Sequence, residues 1–235
     1  MWQIRILTLF PESYPGALAD SVTGRALGEK WEVHSKNIRD YAKDAYQSVD
    51  DTPCGGGGGM VLKADVLGDA IDDFFDPQFP YIYLTPRGKI FNQKVANQLT
   101  TSAKGINLLC GRFEGVDERV LIEYPFTEIS LGDFVLSSGD VAAMPFLDCC
   151  IRQLEGVLGN NHSLNQESFG QGDYESLLEY PHYTKPGEWR GHSVPDVLLS
   201  GHHGKIEEWR LEQAKRKTKT VRPDLWDQFN FGEKK

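Results

Sequence analysis

Short apolar runs alternate with amphipathic stretches along the first two thirds of the chain. Apolar runs that end at turn residues predict buried strands over residues 2–9, 81–84, 106–110 and 128–131. Helical spacing of apolar positions predicts helices over residues 65–75, 89–104, 117–124 and 141–158. In the second of these helices, Ile90, Val95 and Leu99 should face inward. Strands that alternate with helices favour an α/β layer with a mostly parallel sheet.

The pattern changes after residue 158. Residues 159–173 contain only Leu164 and Phe169 as large apolar side chains, which predicts a linker or an active-site loop. A loop-rich stretch with three prolines follows over residues 177–200, and then a helix over residues 203–216. We therefore expect an α/β domain over residues 1–158, a linker over 159–173 and a small, mostly helical domain over 174–235.

Composition and charge exclude several classes of protein. The chain has 235 residues, of which 40% are hydrophobic, and its net charge is −9. This composition excludes a disordered chain, a disulfide miniprotein and a generally basic nucleic-acid coat protein. No apolar run approaches the ~18 residues of a membrane span, and Arg5 argues against a signal peptide. The four cysteines lack CxxC spacing, which predicts a reduced, cytoplasmic protein without a zinc or disulfide framework.

The segment over residues 205–222 reverses the acidic balance, with seven basic side chains against three acidic ones. One interpretation is a solvated helix face. The other is a patch that contacts phosphates, because binding to a nucleic-acid backbone needs only a local basic cluster.

Glycine-rich loops are the main candidates for a binding site. Five consecutive glycines over residues 55–59 lack the Gly-Lys-Ser/Thr of a P-loop and the spacing of a Rossmann motif. They supply a bare, conformationally free backbone that suits close contact with a flat ligand, although a flexible surface loop is the alternative. Further loops follow predicted strands at residues 84–88, 111–115 and 130–139. Because ligands bind beyond the carboxyl ends of such strands, these loops predict one pocket.

Isolated polar residues give weaker signals. Arg152 lies on a helix with apolar neighbours, and Glu167 lies in the polar linker, where a carboxylate is more often merely solvated. His182 and the pair at residues 202–203 have no partner at metal-ligand spacing, so no metal site is predicted. The adjacent cysteines at residues 149–150 are expected in the core.

Several motifs, in order, resemble the bacterial tRNA (guanine-N1)-methyltransferase family over nearly the whole chain. They are VDDTPCGGGGGM, YLTPRG, LLCGRFEGVDERV, EISLGDFVLSSGD, LLEYPHYTKP and VPDVLLSGHH. The resemblance implies a SPOUT-type α/β domain with a deep C-terminal trefoil knot, followed by the small helical domain. It also implies S-adenosylmethionine as cofactor and a homodimer whose active sites use both subunits. The reaction would be methyl transfer to N1 of guanosine 37 of tRNA, next to the anticodon.

The resemblance assigns roles to individual residues. Glu167 would be the general base and Arg152 would stabilise developing charge. The cofactor pocket would contain Tyr83, Leu84, Pro86, Gly111, Leu131, Gly132, Asp133, Phe134, Val135, Leu136 and Gly139. Substrate binding would involve Asp50, Gly59, Ser168, His182, Tyr183, Lys215 and Arg216.

The chain departs from the family pattern at a few positions. Glu167 stands where relatives commonly carry aspartate, and Phe113 replaces a common tyrosine. Trp189 and its neighbours are less typical but lie outside the expected chemistry. A Mg²⁺ requirement stays open, since no cage of oxygen ligands is visible. Two rival functions also stay open: a nucleotide-hydrolysing protein that uses the glycine loop, and a non-catalytic RNA-binding protein with the same fold.

Overall fold

The computed structural model describes residues 1–159, 166–170 and 172–232. The chain divides into two compact units, Met1–Gly159 and Asn160–Lys235. Of the predicted linker, residues 160–165 and 171 lie outside the described residues. Among the residues that the structure describes, no helix is long and apolar enough to cross a membrane.

A five-stranded parallel sheet forms the centre of the first unit. The first unit contains seven strands, five of which form this sheet. In chain order they are β1 (Trp2–Thr8), β2 (Trp31–Asn37), β3 (Asp50–Asp51), β4 (Val61–Leu62), β5 (Tyr81–Ile90), β6 (Gly105–Leu109) and β7 (Phe126–Ser130). The sheet has the order β2-β1-β6-β5-β7, and every pairing in it is parallel. Strands β3 and β4 form a separate antiparallel pair. The predicted α/β class with a parallel sheet is confirmed for this unit.

Five helices accompany the sheet, and both of its faces are buried. They are α1 (Ser21–Ala26), α2 (Ala64–Phe74), α3 (Gln93–Ser102), α4 (Glu118–Glu123) and α5 (Gly139–Ile151). In β5, Ile82 and Leu84 pack into one apolar cluster with Phe146 of α5, whereas Tyr81 and Tyr83 pack into a second cluster with α2. This alternation follows from the two-residue period of a strand.

Some predicted boundaries were wrong. Strand β5 runs on to Ile90, which is therefore exposed in a strand and does not face inward from a helix. Helix α3 begins only at Gln93, because the Asn92 side chain caps it by accepting a hydrogen bond from the Val95 amide at 3.0 Å. Helix α5 ends at Ile151 instead of residue 158. Strand β2 and helix α1 were missed, since each contains only two apolar side chains.

The second unit is helical and has a small core. It contains a hairpin of β8 (Glu188–Trp189) and β9 (His192–Ser193), followed by α6 (Asp196–Leu199), α7 (His203–Val221) and α8 (Pro223–Gly232). The predicted helix over 203–216 thus extends to Val221, and α8 was missed. The buried core consists of Tyr174, Leu177, Tyr180 and Ala214, with Leu211, Trp226 and Phe229 packed against it.

Candidate functional site

Three loops line a cavity of about 290 Å³: one loop interrupts β5, and the other two lie beyond the carboxyl ends of β6 and β7. This volume lies near the lower end of the ~300–1,000 Å³ typical of small-molecule sites. The cavity is lined by residues 83–87 within β5, residues 111–115 after β6, residues 129–132 and 134–139 of β7 and its following loop, and Ala142 of α5.

The first wall is a bulge inside β5. Leu84 and Lys89 both align with Ile129 of β7, so residues 85–88 loop out of the sheet. Pro86 has no amide hydrogen with which to continue the ladder, which explains the interruption. We expected the strand to stop at Leu84, but pairing resumes beyond the bulge. Arg87 holds the bulge in place through ion pairs with Glu118 at 2.9 Å and Glu128 at 3.2 Å.

The second wall follows β6 and is tied to the third. The Arg112 guanidinium donates a hydrogen bond to the carbonyl of Ser137 at 3.2 Å and lies 5.1 Å from the centre of the Phe10 ring. Gly111 packs directly on Tyr83, because a Cβ there would lie 2.9 Å from the tyrosine ring. The second wall is therefore tied to the third by Arg112 and packs on the first through Gly111.

The third wall depends on Gly139, the first residue of α5. Its amide donates a hydrogen bond to the Gly111 carbonyl at 2.8 Å. A Cβ at this position would lie 2.7 Å from the Gly111 nitrogen and 2.8 Å from the Cys110 Cα. Since both neighbours are backbone atoms, only glycine fits without moving the loop or the helix.

The structure brings almost all the predicted cofactor residues to this cavity. All of them line it except Asp133. Sequence reasoning overlooked three charged lining residues, Arg87, Arg112 and Glu114, although each lies in a loop that the sequence had already singled out.

The glycine loop joins the second wall. Its exit is fixed by backbone hydrogen bonds from Glu114 to the Met60 carbonyl at 2.9 Å and from Leu62 to the Gly115 carbonyl at 3.0 Å. Gly59 has a φ of +83°, and a Cβ there would overlap the Glu114 side chain. Asp50 pairs with Leu62 in the β3–β4 ribbon. Both predicted substrate residues of this loop, Asp50 and Gly59, therefore lie on a ribbon attached to the cavity wall.

A buried polar cluster lies behind Gly139. One oxygen of Asp140 accepts hydrogen bonds from the hydroxyls of Thr8 at 2.5 Å and Tyr14 at 3.0 Å, and the Tyr14 hydroxyl lies 3.2 Å from the Cys110 sulfur. Within the described part of the chain, the other Asp140 oxygen is buried without a partner. Burial raises the pKa of Tyr14 and of Cys110 above their ordinary values. No local sequence pattern could reveal this cluster, because its members are far apart along the chain.

Arg152 does not line the cavity. It is half-buried and directly follows Ile151 as the C-cap of α5, whereas Gly139 begins that helix. A helix of this length spans about 20 Å, so the two residues lie at opposite ends of it. In the first unit of a single chain, the cavity and the predicted charge-stabilising arginine are therefore separated.

Glu167 belongs to a short turn in the second unit. The amide of Gly170 bonds to the Glu167 carbonyl at 2.9 Å, and the Phe169 amide bonds to the Leu177 carbonyl at 3.1 Å. The Ser168 hydroxyl accepts a hydrogen bond from the Glu179 amide at 3.0 Å. The turn that carries the predicted base is thus attached to residues 177–179, and Glu167 itself is half-buried.

Comparison with known proteins places this arrangement in a family. Residues 2–228 match the family described as tRNA (Guanine-1)-methyltransferase TrmD. The chain belongs to this family. It is 50% identical over 230 residues to the tRNA (guanine-N(1)-)-methyltransferase of Ruegeria sp. (strain TM1040), covering 96% of this chain and 92% of the relative. It is 51% identical over 225 residues to the enzyme of the same name from Brucella ovis, covering 95% and 91%.

In this TrmD-family chain, the predicted substrate residues of the PHYTKP motif are exposed. The His182 imidazole lies 3.5 Å from the Glu179 carboxylate and its ring centre 4.8 Å from that of Tyr180. The Tyr183 ring centre lies 6.3 Å from that of Trp209 on α7. Both side chains therefore present polar atoms to solvent while their rings rest on the second unit.

The basic segment of α7 is less uniform than its sequence suggests. Lys215 lies 4.8 Å from the ring centre of Phe229 and Lys219 lies 5.7 Å from that of Trp226. Arg210 and Arg222 form ion pairs with Glu207 at 2.8 Å and Asp224 at 2.6 Å. Arg216 and Lys217 are exposed. Several of the basic side chains thus pack on the unit itself, and the exposed remainder is smaller than the sequence count.

Proposed function

We propose that this chain transfers a methyl group from S-adenosylmethionine to N1 of guanosine 37 of tRNA, next to the anticodon. Membership of the tRNA (guanine-1)-methyltransferase family over both units supports the reaction class. The observation that carries the proposal for this chain is the glycine-walled cavity formed by the loops of β5, β6 and β7.

The cavity has the chemistry that S-adenosylmethionine requires. Apolar side chains such as Leu131 and Leu136 suit the adenine ring, and the backbone along residues 131–136 suits its polar edges and the ribose. Arg112 and Glu114 offer opposite charges for the amino-acid end. When bound, the cofactor supplies an electrophilic methyl group on a sulfonium.

Glu167 is proposed as the general base. Guanine N1 carries a proton and becomes a good nucleophile only as that proton leaves, so a carboxylate within hydrogen-bond reach accelerates the reaction. Removal of the proton shifts negative charge to O6 of the base. Arg152 is proposed to stabilise that charge, as a fixed guanidinium does at a developing oxyanion.

We also propose a homodimer whose active sites use both subunits. The position of Arg152, at the far end of α5 from the cavity, supports this arrangement, since two copies can bring separated parts of a site together. Among the described residues, no group of three or more His, Cys, Asp or Glu side chains is placed to hold a metal ion.

A deep trefoil knot is proposed for the last part of the first unit. The chain leaves β7, which borders β5, and at Gly139 it reaches Gly111 after β6, on the other side of β5. This crossing of the end of β5 supports a knotted path. The second unit is proposed to bind the tRNA, and the exposed Arg216 and Lys217 support that role.

Transfer of labelled methyl from S-adenosylmethionine to two tRNA transcripts tests the function. The transcripts differ only in having guanosine or adenosine at position 37. We expect label on the guanosine transcript alone. Equal label on both transcripts would keep a methyltransferase but discard the target base. Binding of tRNA without any label would favour the non-catalytic RNA-binding protein.

A further inference from the structure

An exposed hairpin in the second unit carries a large aromatic side chain that the proposed chemistry does not use. Trp189 ends β8 and is 60% exposed. The hairpin contributes nothing to the small core of its unit, which is built from other residues. A tryptophan on the surface of a hairpin therefore invites a role in recognition.

The hairpin holds this side chain on a preorganised backbone. Its two-residue turn has positive φ at both positions, +51° at Arg190 and +78° at Gly191, which is typical of the type I′ turns that match strand twist. Trp189 pairs with His192, and the Val194 amide bonds to the Gly187 carbonyl at 2.9 Å below the pairs. The backbone that carries the ring is thus already ordered before binding.

One face of the hairpin combines aromatic and cationic groups. The Arg190 guanidinium lies 4.6 Å from the centre of the Trp189 ring, close enough for a cation–π contact. His192 lies directly opposite Trp189 and so projects to the same face. Glu188 pairs with Ser193 and projects to the other face. The acidic side chain is thereby kept away from the aromatic one.

We propose that Trp189 and Arg190 form a stacking platform for an unpaired base of the tRNA. The proposal rests on the function proposed above. Aromatic rings backed by a guanidinium stack on unpaired bases of single-stranded RNA loops, and arginine adds attraction to the phosphates. This face suits a polyanionic partner, because the positive charge of Arg190 lies beside the ring and the Glu188 side chain projects to the other face. Arg190 occupies one side of the ring, and the base takes the other.

Affinity for tRNA in the Trp189→Ala variant tests the platform. Replacing one stacking aromatic residue with alanine is expected to weaken tRNA binding by about 5- to 150-fold in Kd. We expect this loss with an unchanged salt dependence, since stacking neutralises no phosphate. Trp189→Phe should retain most of the affinity, and Arg190→Ala should reduce the salt slope. Phe231→Ala is the matched control, because Phe231 is 70% exposed on α8 of the same unit.

The outcomes separate the platform from the proposed function. A wild-type chain that binds tRNA but transfers no methyl overturns the function alone, and the Kd comparison still decides the platform. An unchanged Kd for Trp189→Ala overturns the platform. So does a changed oligomeric state at unchanged tRNA affinity, which would make Trp189 a protein contact. Should the alanine variant fold poorly, tRNA-induced quenching of tryptophan fluorescence supplies the decision: it should be smaller in Trp189→Phe, which keeps the other four tryptophans, than in wild type, and equal quenching would overturn the platform.

Discussion

The two units of this chain offer opposite kinds of surface to a ligand. In the first unit, a sheet buried on both faces fixes a cavity whose walls are largely backbone, at glycines such as Gly111 and Gly139. In the second unit, a small core supports exposed arginine, lysine and aromatic side chains. A backbone-walled cavity suits one small molecule of fixed shape. Exposed side chains with several charges suit an extended polyanion such as tRNA.

The largest expected effect tests whether chemistry and cofactor binding lie in different units. Glu167→Ala should lower kcat by about 10²–10⁴-fold, because a general base contributes that much. Cofactor affinity should stay unchanged, since the cavity belongs to the first unit. Single-turnover methyl transfer and calorimetric titration with S-adenosylmethionine measure the two quantities. Glu167→Asp is the control, because it shortens the side chain but keeps the carboxylate that relatives commonly carry.

A parallel loss of cofactor affinity in Glu167→Ala would contradict the division between the units. An unchanged kcat would mean that Glu167 is an ordinary solvated carboxylate and not the general base.

A second test compares the tolerance of the two units to one added methyl group. Gly139→Ala places a Cβ against the backbone of Gly111 and Cys110, so we expect a loss of about 1–3 kcal/mol in unfolding free energy and weaker cofactor binding. Gly204→Ala in α7 meets no atom within 4 Å and should stabilise by about 0.4–1 kcal/mol. Urea unfolding of both variants measures the difference, and equal effects would argue against a tightly packed cavity wall.

The next test asks which basic residues of α7 contact phosphate. Arg216→Gln and Lys217→Gln should each lower the slope of log K against log salt by about 0.7–0.9, because each side chain is exposed. Lys215→Gln should affect the slope less, since its ammonium lies over the Phe229 ring. Binding of tRNA measured across a salt series decides this. An unchanged slope in the first two variants would mean that α7 is only a solvated face.

The sequence could predict four of the five strands of the sheet and most of the cavity, for a physical reason. Apolar runs that end in glycine loops, such as the run before Gly111, carry a local signal of both the strand and the binding end. The bulge after Leu84 and the cluster of Thr8, Tyr14 and Asp140 arise from pairing between residues distant in the chain. No local pattern encodes such contacts, so the sequence could not reveal them.

The second unit was harder to predict because its proposed role in tRNA binding depends on which side chains are exposed. A count of basic residues cannot tell that Lys215 packs on an aromatic ring while Arg216 stays exposed. Likewise, the sequence around Trp189 lacks a strong strand signal, and only the pairing of β8 with β9 places its ring opposite His192.

The smallest expected effect concerns the cysteines, all of which lie in the first unit. Cys54 is exposed in the glycine loop, whereas Cys110 and Cys150 are buried. Burial raises the pKa of both buried thiols, so they stay protonated at pH 8, where a thiolate would be needed for reaction. Alkylation with iodoacetamide at pH 8, followed by peptide mass spectrometry, should therefore label Cys54 first and label Cys110 and Cys150 much more slowly. Labelling of Cys110 at the rate of Cys54 would show that the end of β6 opens readily. The cavity of the first unit would then not have the fixed walls that distinguish it from the exposed surface of the second unit.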